Sequence, residues 1–140
     1  MKKLKFNVSI DAPKEKVWDI LWADKSYREW TSVFSEGSYA KSDWKEGSRI
    51  EFLDGKGNGM YSVIEKKIPN AEMSFRHLGD LKDGVENPAN WGDAREKYFL
   101  EESNGKTELK TELDITEEYE PYFADIFPKA LEKVKQLAEK

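Results

Sequence analysis

The chain has no cysteine among its 140 residues. That excludes disulfide bonds and thiolate metal sites and suits a reducing compartment. It has a single histidine, His77, so one chain lacks the nitrogen and sulfur ligands that a zinc site needs. Carboxylate sites for Mg²⁺ or Ca²⁺ stay open on composition, but no EF-hand-like spacing occurs, and neither a metal nor a cofactor is expected. Long apolar runs are missing too. No run of seven or more apolar residues follows the basic opening Met1-Lys2-Lys3, so neither a secretory signal nor membrane insertion is expected, and the predicted location is cytoplasmic. A block of one charge sign is also absent. The net charge is −5 with both signs mixed along the chain. Nucleic acid is therefore not an expected partner, because phosphate binding needs clustered Lys and Arg.

What the chain does have is aromatic residues: five Trp, six Tyr and seven Phe, more than a core of this size needs. Some are expected to line a cavity. The length predicts one domain spanning residues 1–140.

The last stretch, Thr116 to Lys140, organises the rest. Tyr119, Tyr122, Phe123, Ile126, Phe127, Ala130, Leu131, Val134, Leu137 and Ala138 recur at spacings of three and four, which predicts an amphipathic helix. Its first half is aromatic and its second half small or aliphatic, so one end is expected to pack tightly and the other to face something wider. Pro128 either kinks this helix or marks its true start; apolar spacing that runs through the proline favours the kink.

Upstream, Leu4, Phe6, Val8 and Ile10 alternate with polar residues as in a half-buried strand. Asp11 and Pro13 then suit a helix start, with Val17, Trp18, Ile20 and Leu21 as the apolar face. A second short helix is predicted over Asp24 to Trp30, with Asp24 as a candidate cap. Strands are predicted over Ser38–Trp44, Arg49–Asp54, Met60–Ile68, Glu72–Leu78, Ala94–Glu101 and Lys106–Thr116. Gly55-Lys56-Gly57-Asn58-Gly59 reads as a hairpin turn; it lacks both the Lys-Ser/Thr ending and the following helix of a phosphate loop. Gly79–Asp93 reads as a fifteen-residue loop, long enough to be a lid. The last strand puts Leu109, Thr111, Leu113 and Ile115 on one face and charged residues on the other, so one face of the sheet is dry and the other wet.

Ile10-Asp11-Ala12-Pro13 followed by Val17-Trp18 resembles the opening of the START-like superfamily of helix-grip proteins, the birch-pollen-allergen or SRPBCC fold. Trp30, Gly47, Pro69 and Gly105-Lys106-Thr107-Glu108-Leu109 fall where that family has its helix end, its turns and its entry to the last strand. Within the superfamily the chain is most similar to bacterial homologues of the heat-shock-protein-90 ATPase activator. The resemblance implies an α+β fold: a curved antiparallel sheet of about seven strands wrapped around a long C-terminal helix, with two short helices after the first strand and a cavity between. Known relatives bind lipids, sterols, hormones or polyketides, some catalyse cyclisation, and others contact a protein partner. Two features depart from the pattern: the length of Gly79–Asp93, and Pro121 and Pro128 in the last helix.

The candidate ligand contacts are Trp30, Trp44, Phe52, Phe75, His77, Trp91, Tyr98, Tyr122, Phe123 and Ile126, with Trp30, Trp44 and Trp91 expected at the entrance. Glu96 keeps register with Tyr98 and Leu100, which makes it an inward carboxylate and, with His77, a candidate acid or base. It would pair with Arg76, Arg95 or His77. The bland alternatives are a filled core, a structural histidine and a strand twist that exposes Glu96. No serine sits in a nucleophile-elbow motif. The first functional expectation is a carrier or sensor of a small apolar or aromatic molecule. The second is a protein-interaction module such as a chaperone accessory, with a homodimer among its forms. The third is a cyclase- or hydrolase-type enzyme.

Overall fold

The computed structural model describes residues 1–88 and 94–140. Strand β1 (Lys2–Ile10) leads into helices α1 (Lys14–Trp22) and α2 (Asp24–Thr31). Then come β2 (Tyr39–Lys41), β3 (Arg49–Leu53), β4 (Gly59–Ile68), β5 (Glu72–Lys82), β6 (Val85–Pro88), β7 (Arg95–Ser103) and β8 (Lys106–Ile115). Helix α3 (Glu120–Ala138) closes the chain after a short 3₁₀ turn at Glu117–Tyr119. The architecture is α+β, with the helices on one face of a curved antiparallel sheet. Strand order is β1-β8-β7-β5-β4-β3-β2, with β6 added on β5. This is the helix-grip arrangement.

Alternation decides which face is dry. On β8, Thr107, Leu109, Thr111, Leu113 and Ile115 are all buried, as period-two patterning requires. Their neighbours on β7, Tyr98 and Leu100, join them, as do Met73 and Phe75 on β5. Helix α3 lies against β1, α1 and α2. Phe127, Ala130, Leu131, Val134, Leu137 and Ala138 supply its buried face.

Several local expectations are corrected. Asp11 does not cap α1; Pro13 occupies the N-cap, and the Asp11 backbone N–H donates to Glu139 Oε2 at 2.8 Å instead. Asp24 is the first residue of α2, not its cap, and it holds Arg28 one turn on, with Nε 3.0 Å from both carboxylate oxygens. In α1 the buried set is Val17, Trp18, Leu21 and Trp22, so Trp22 takes the place given to Ile20. The strand expected over Ser38–Trp44 stops at Lys41. Trp44 has left it with φ 62°, a conformation uncommon for a bulky residue.

The largest correction concerns Gly79–Asp93. Its first ten residues are not a loop. Strand β5 continues through Gly79 to Lys82, turns at Asp83-Gly84, and pairs back with β6, Gly79 against Pro88 and Lys82 against Val85. The tip is tied to the β3–β4 turn, where the Gly84 N–H donates to the Gly57 carbonyl at 2.8 Å. Gly79 is required here by close approach: a Cβ would lie 2.6 Å from the Asn87 carbonyl oxygen and 2.8 Å from the Tyr61 hydroxyl. Helix α3 runs unbroken in assignment through Pro128, with Pro121 in its first turn, where its missing N–H is harmless.

Candidate ligand site

Between the concave face of the sheet and the first half of α3 lies a cavity of about 920 Å³. Its size is that of a small-molecule site. Three layers build it. Phe52 of β3, Tyr98 of β7 and Leu113 of β8 form the sheet wall. Tyr27, Trp30 and Thr31 come from one face of α2, at i, i+3 and i+4. Tyr122, Phe123 and Phe127 descend from α3. The walls are therefore mostly apolar and aromatic.

One polar cluster interrupts them. On β7, Glu96 and Tyr98 are two residues apart and so point the same way. Phe75 of β5 is opposite Glu96, which sets His77, two residues further on, diagonal to that carboxylate. His77 in turn faces Ser62 of β4. That last pairing depends on a bulge: Tyr61 is opposite Gly79 and Ser62 is opposite His77, so Leu78 is the extra residue. The outcome is a chain of contacts across three adjacent strands. Ser62 Oγ is 2.6 Å from His77 Nδ1, His77 Nε2 is 3.3 Å from Glu96 Oε1, and the Tyr98 hydroxyl donates to Glu96 Oε2.

The protons can be assigned by satisfying every donor. If the Ser62 hydroxyl donates to Nδ1, the hydroxyl is satisfied and Nε2–H faces Glu96 Oε1 at 3.3 Å. The opposite tautomer would leave the Ser62 hydroxyl without an acceptor, a loss of about 1–3 kcal/mol for a buried group. Glu96 thus accepts a hydrogen bond from the Tyr98 hydroxyl on one oxygen and faces the imidazole with the other. Its effect on its surroundings is visible in the phenols. Burial first, and then the Glu96 charge, push the hydroxyls of both Tyr27 and Tyr98 well above the ordinary tyrosine range.

Exposure separates the roles within the cluster. The side chains of His77 and Glu96 are 8% and 18% exposed, and both line the cavity together with Tyr98. Ser62 is fully buried behind them and is not part of the wall. A serine nucleophile must reach its substrate, so this Ser–His–Glu series is not a hydrolase triad. It is a carboxylate held in place by an imidazole and a phenol, able to accept a hydrogen bond or a proton from a bound molecule. Thr116 also lines the cavity, and its buried hydroxyl has no hydrogen-bond partner among the described residues.

Of the ten sequence-derived ligand candidates, Trp30, Phe52, His77, Tyr98, Tyr122 and Phe123 come together in the lining. Trp30 is fully buried, its Nε1–H donating to the Leu21 carbonyl at 3.1 Å, so it sits on the inner wall and not at an entrance. Trp44 and Phe75 belong to the packed aromatic group around Trp22, at centroid distances of 5.7 and 5.5 Å. Ile126 on α3 is half-buried and, like these two, outside the lining. Trp91 lies outside the described residues. Of the three partners considered for Glu96, His77 is the one observed; Arg76 and Arg95 both reach Glu65. Sequence reasoning missed Ser62 and Tyr27. Ser62 did carry a signal, as a polar residue between Met60 and Ile64 on one face of β4. Tyr27 shares the i, i+3, i+4 face of α2 with Trp30 and Thr31.

Among the described residues no group of three or more His, Cys, Asp or Glu side chains is arranged to hold a metal, and no helix is long and apolar enough to cross a membrane.

Solved structures share this fold. The Aha1 dimer of Colwellia psychrerythraea is 20% identical with a TM-score of 0.77, covering 99% of this chain and 97% of its own. A putative protein of the dynemicin biosynthetic locus is 12% identical with a TM-score of 0.76; all of this chain matches 48% of that one. A Chromobacterium violaceum protein is 16% identical with a TM-score of 0.71, covering 100% of this chain and 99% of its own. No curated protein sequence matches the chain. The family described as Activator of Hsp90 ATPase homolog 1-like protein matches residues 11–139, which take in every helix and every strand but β1, and the chain belongs to that family.

Proposed function

We propose that the domain binds a small, largely apolar or aromatic molecule between the sheet and α3, as a carrier or sensor. The observation that carries this reading is the cavity of about 920 Å³, walled by aromatic side chains and holding one organised polar cluster. Trp30, Phe52, Tyr122 and Phe123 provide contact area, while His77, Glu96, Tyr98 and Thr116 orient polar atoms of the ligand.

Native mass spectrometry of gently purified protein, repeated under denaturing conditions, tests the reading. Extra mass that disappears on denaturation is the expected result. A bare mass, together with no uptake from a library of apolar and aromatic compounds at millimolar concentration, would reject it.

A second reading is a protein-interaction module. It is favoured by the family's description and by Tyr119 and Tyr122, which are 55% and 48% exposed at the head of α3. The similar Aha1 structure is a dimer, so a second copy is one candidate partner. Replacing both tyrosines by serine should abolish partner capture on this reading, whereas on the first reading it should weaken ligand uptake. If Glu96 and His77 move a proton on a substrate, Glu96→Gln should stop turnover while binding persists.

A further inference from the structure

Charge is distributed unevenly around the cavity. Asp54, Asp80, Glu96 and Glu118 line it together with His77 and Met1, and no lysine belongs to the lining among the described residues; Asp114 and Arg95 touch it too, but their side chains pair with Lys3 and Glu65 on the other face of the sheet. Arg95 is ion-paired through Nε with Glu65 Oε1 at 2.7 Å. At the rim, the backbone N–H of Lys56 holds the Asp54 carboxyl below the usual carboxylate range. Asp114 accepts the Arg95 backbone N–H at 3.0 Å. At the inner end, Glu96 accepts the Tyr98 hydroxyl, and His77 Nε2 lies 3.3 Å from its other oxygen.

We propose that the cavity selects a cationic ligand: an aromatic or hydrocarbon body carrying a protonated amine that pairs with Glu96. This rests on the ligand-binding reading above and names the chemical class of the ligand.

Three physical arguments support it. An inward carboxyl group that accepts one phenol hydrogen bond still has free lone pairs, and an ammonium N–H makes a strong charge-assisted bond to a carboxylate. Tyr27, Trp30, Phe52 and Tyr98 line the same space, and aromatic rings attract cations. The acidic rim repels anions and raises the local concentration of cations on the way in. A fatty acid or other carboxylate ligand would bring its charge to the inner end beside the Glu96 carboxyl group.

The test uses three probes of one shape: 1-naphthylmethylamine, 1-naphthylmethanol and 1-naphthoate, titrated into the unmodified protein by calorimetry. The amine should bind about ten-fold or more tightly than the naphthoate, with the alcohol between them, as a charge-assisted hydrogen bond implies. In Glu96→Gln the amine's advantage over the alcohol should vanish. The ranking on the unmodified protein stands whether or not that variant folds. Equal affinities, or a preference for naphthoate, would overturn the charge assignment and leave the cavity reading intact. Failure of all three probes to bind, with a bare native mass, would remove both.

Discussion

The two halves of α3 lie on one helix and do opposite things. From Phe127 onward, Ala130, Leu131, Val134, Leu137 and Ala138 are buried against the sheet and α1. Before Phe127, Tyr119 and Tyr122 are half exposed, and Phe123 packs edge-on to Tyr122 at 5.1 Å above open space. The difference follows from side-chain size and from what lies opposite. Small and aliphatic residues allow the helix to approach the sheet closely. Phe127 is the wedge at the boundary, stacked on Phe6 at 5.2 Å and tilted against Phe34 at 5.7 Å. Beyond it the helix and sheet no longer meet, and the gap is the cavity. One half packs against the rest of the core, and the other forms a wall of the cavity.

The contrast can be broken by mutation. Leu131→Ala, deep in the packed half, should cost about 2–5 kcal/mol in chemical denaturation. Gly79→Ala tests the β5–β6 arm at the far side of the cavity. Its Cβ would meet a backbone carbonyl oxygen at 2.6 Å, so a loss of about 1–3 kcal/mol is expected from forced backbone shifts. An unchanged denaturation midpoint would mean that the arm does not pair as described.

Alkaline titration sharpens the picture at the cavity floor. The folded protein raises the hydroxyl pKa of Tyr27 and Tyr98 above that of the unfolded chain. Their contribution to stability is therefore complete below about pH 10, the unfolded value, and is lost as pH rises above it, because only the unfolded chain releases those protons. Each phenol should lower stability by about 1.4 kcal/mol per pH unit in that window. Tyrosinate absorbance from these two should appear only with unfolding. The smallest effect is expected for Tyr122→Ala, within about 0.5 kcal/mol in denaturation, although the same change should weaken ligand uptake. A large stability loss there would erase the distinction between the two halves.

The sequence carried the parts of the fold governed by simple periods. Strand β8 was legible because Leu109, Thr111, Leu113 and Ile115 alternate without interruption. The inward position of Glu96 followed from the same rule, and the asymmetry of α3 from its spacing. What escaped depends on contacts between distant segments. Gly79 reads as a loop signal, yet its role is to admit the Asn87 backbone and the Tyr61 hydroxyl. The bulge at Leu78 shifts the phase of β5, and no local pattern announces it. Ser62 became part of the site only once β4 lay beside β5. Asp11 looked like a cap because its type favours that role, but Glu139, at the far end of the chain, takes its N–H. Trp44 looked like a strand residue and a ligand contact by aromatic character alone, and the aromatic cluster of Trp22 and Tyr27 claims it.

Backbone and methyl NMR shifts on adding 1-naphthylmethanol would test the central claim most directly. The account expects shifts concentrated at Thr31, His77, Glu96, Leu113, Thr116 and Phe123, with Val134 and Leu137 unmoved. Shifts confined to the outer face of the sheet or to the packed half of α3, or no shifts at millimolar probe, would contradict it.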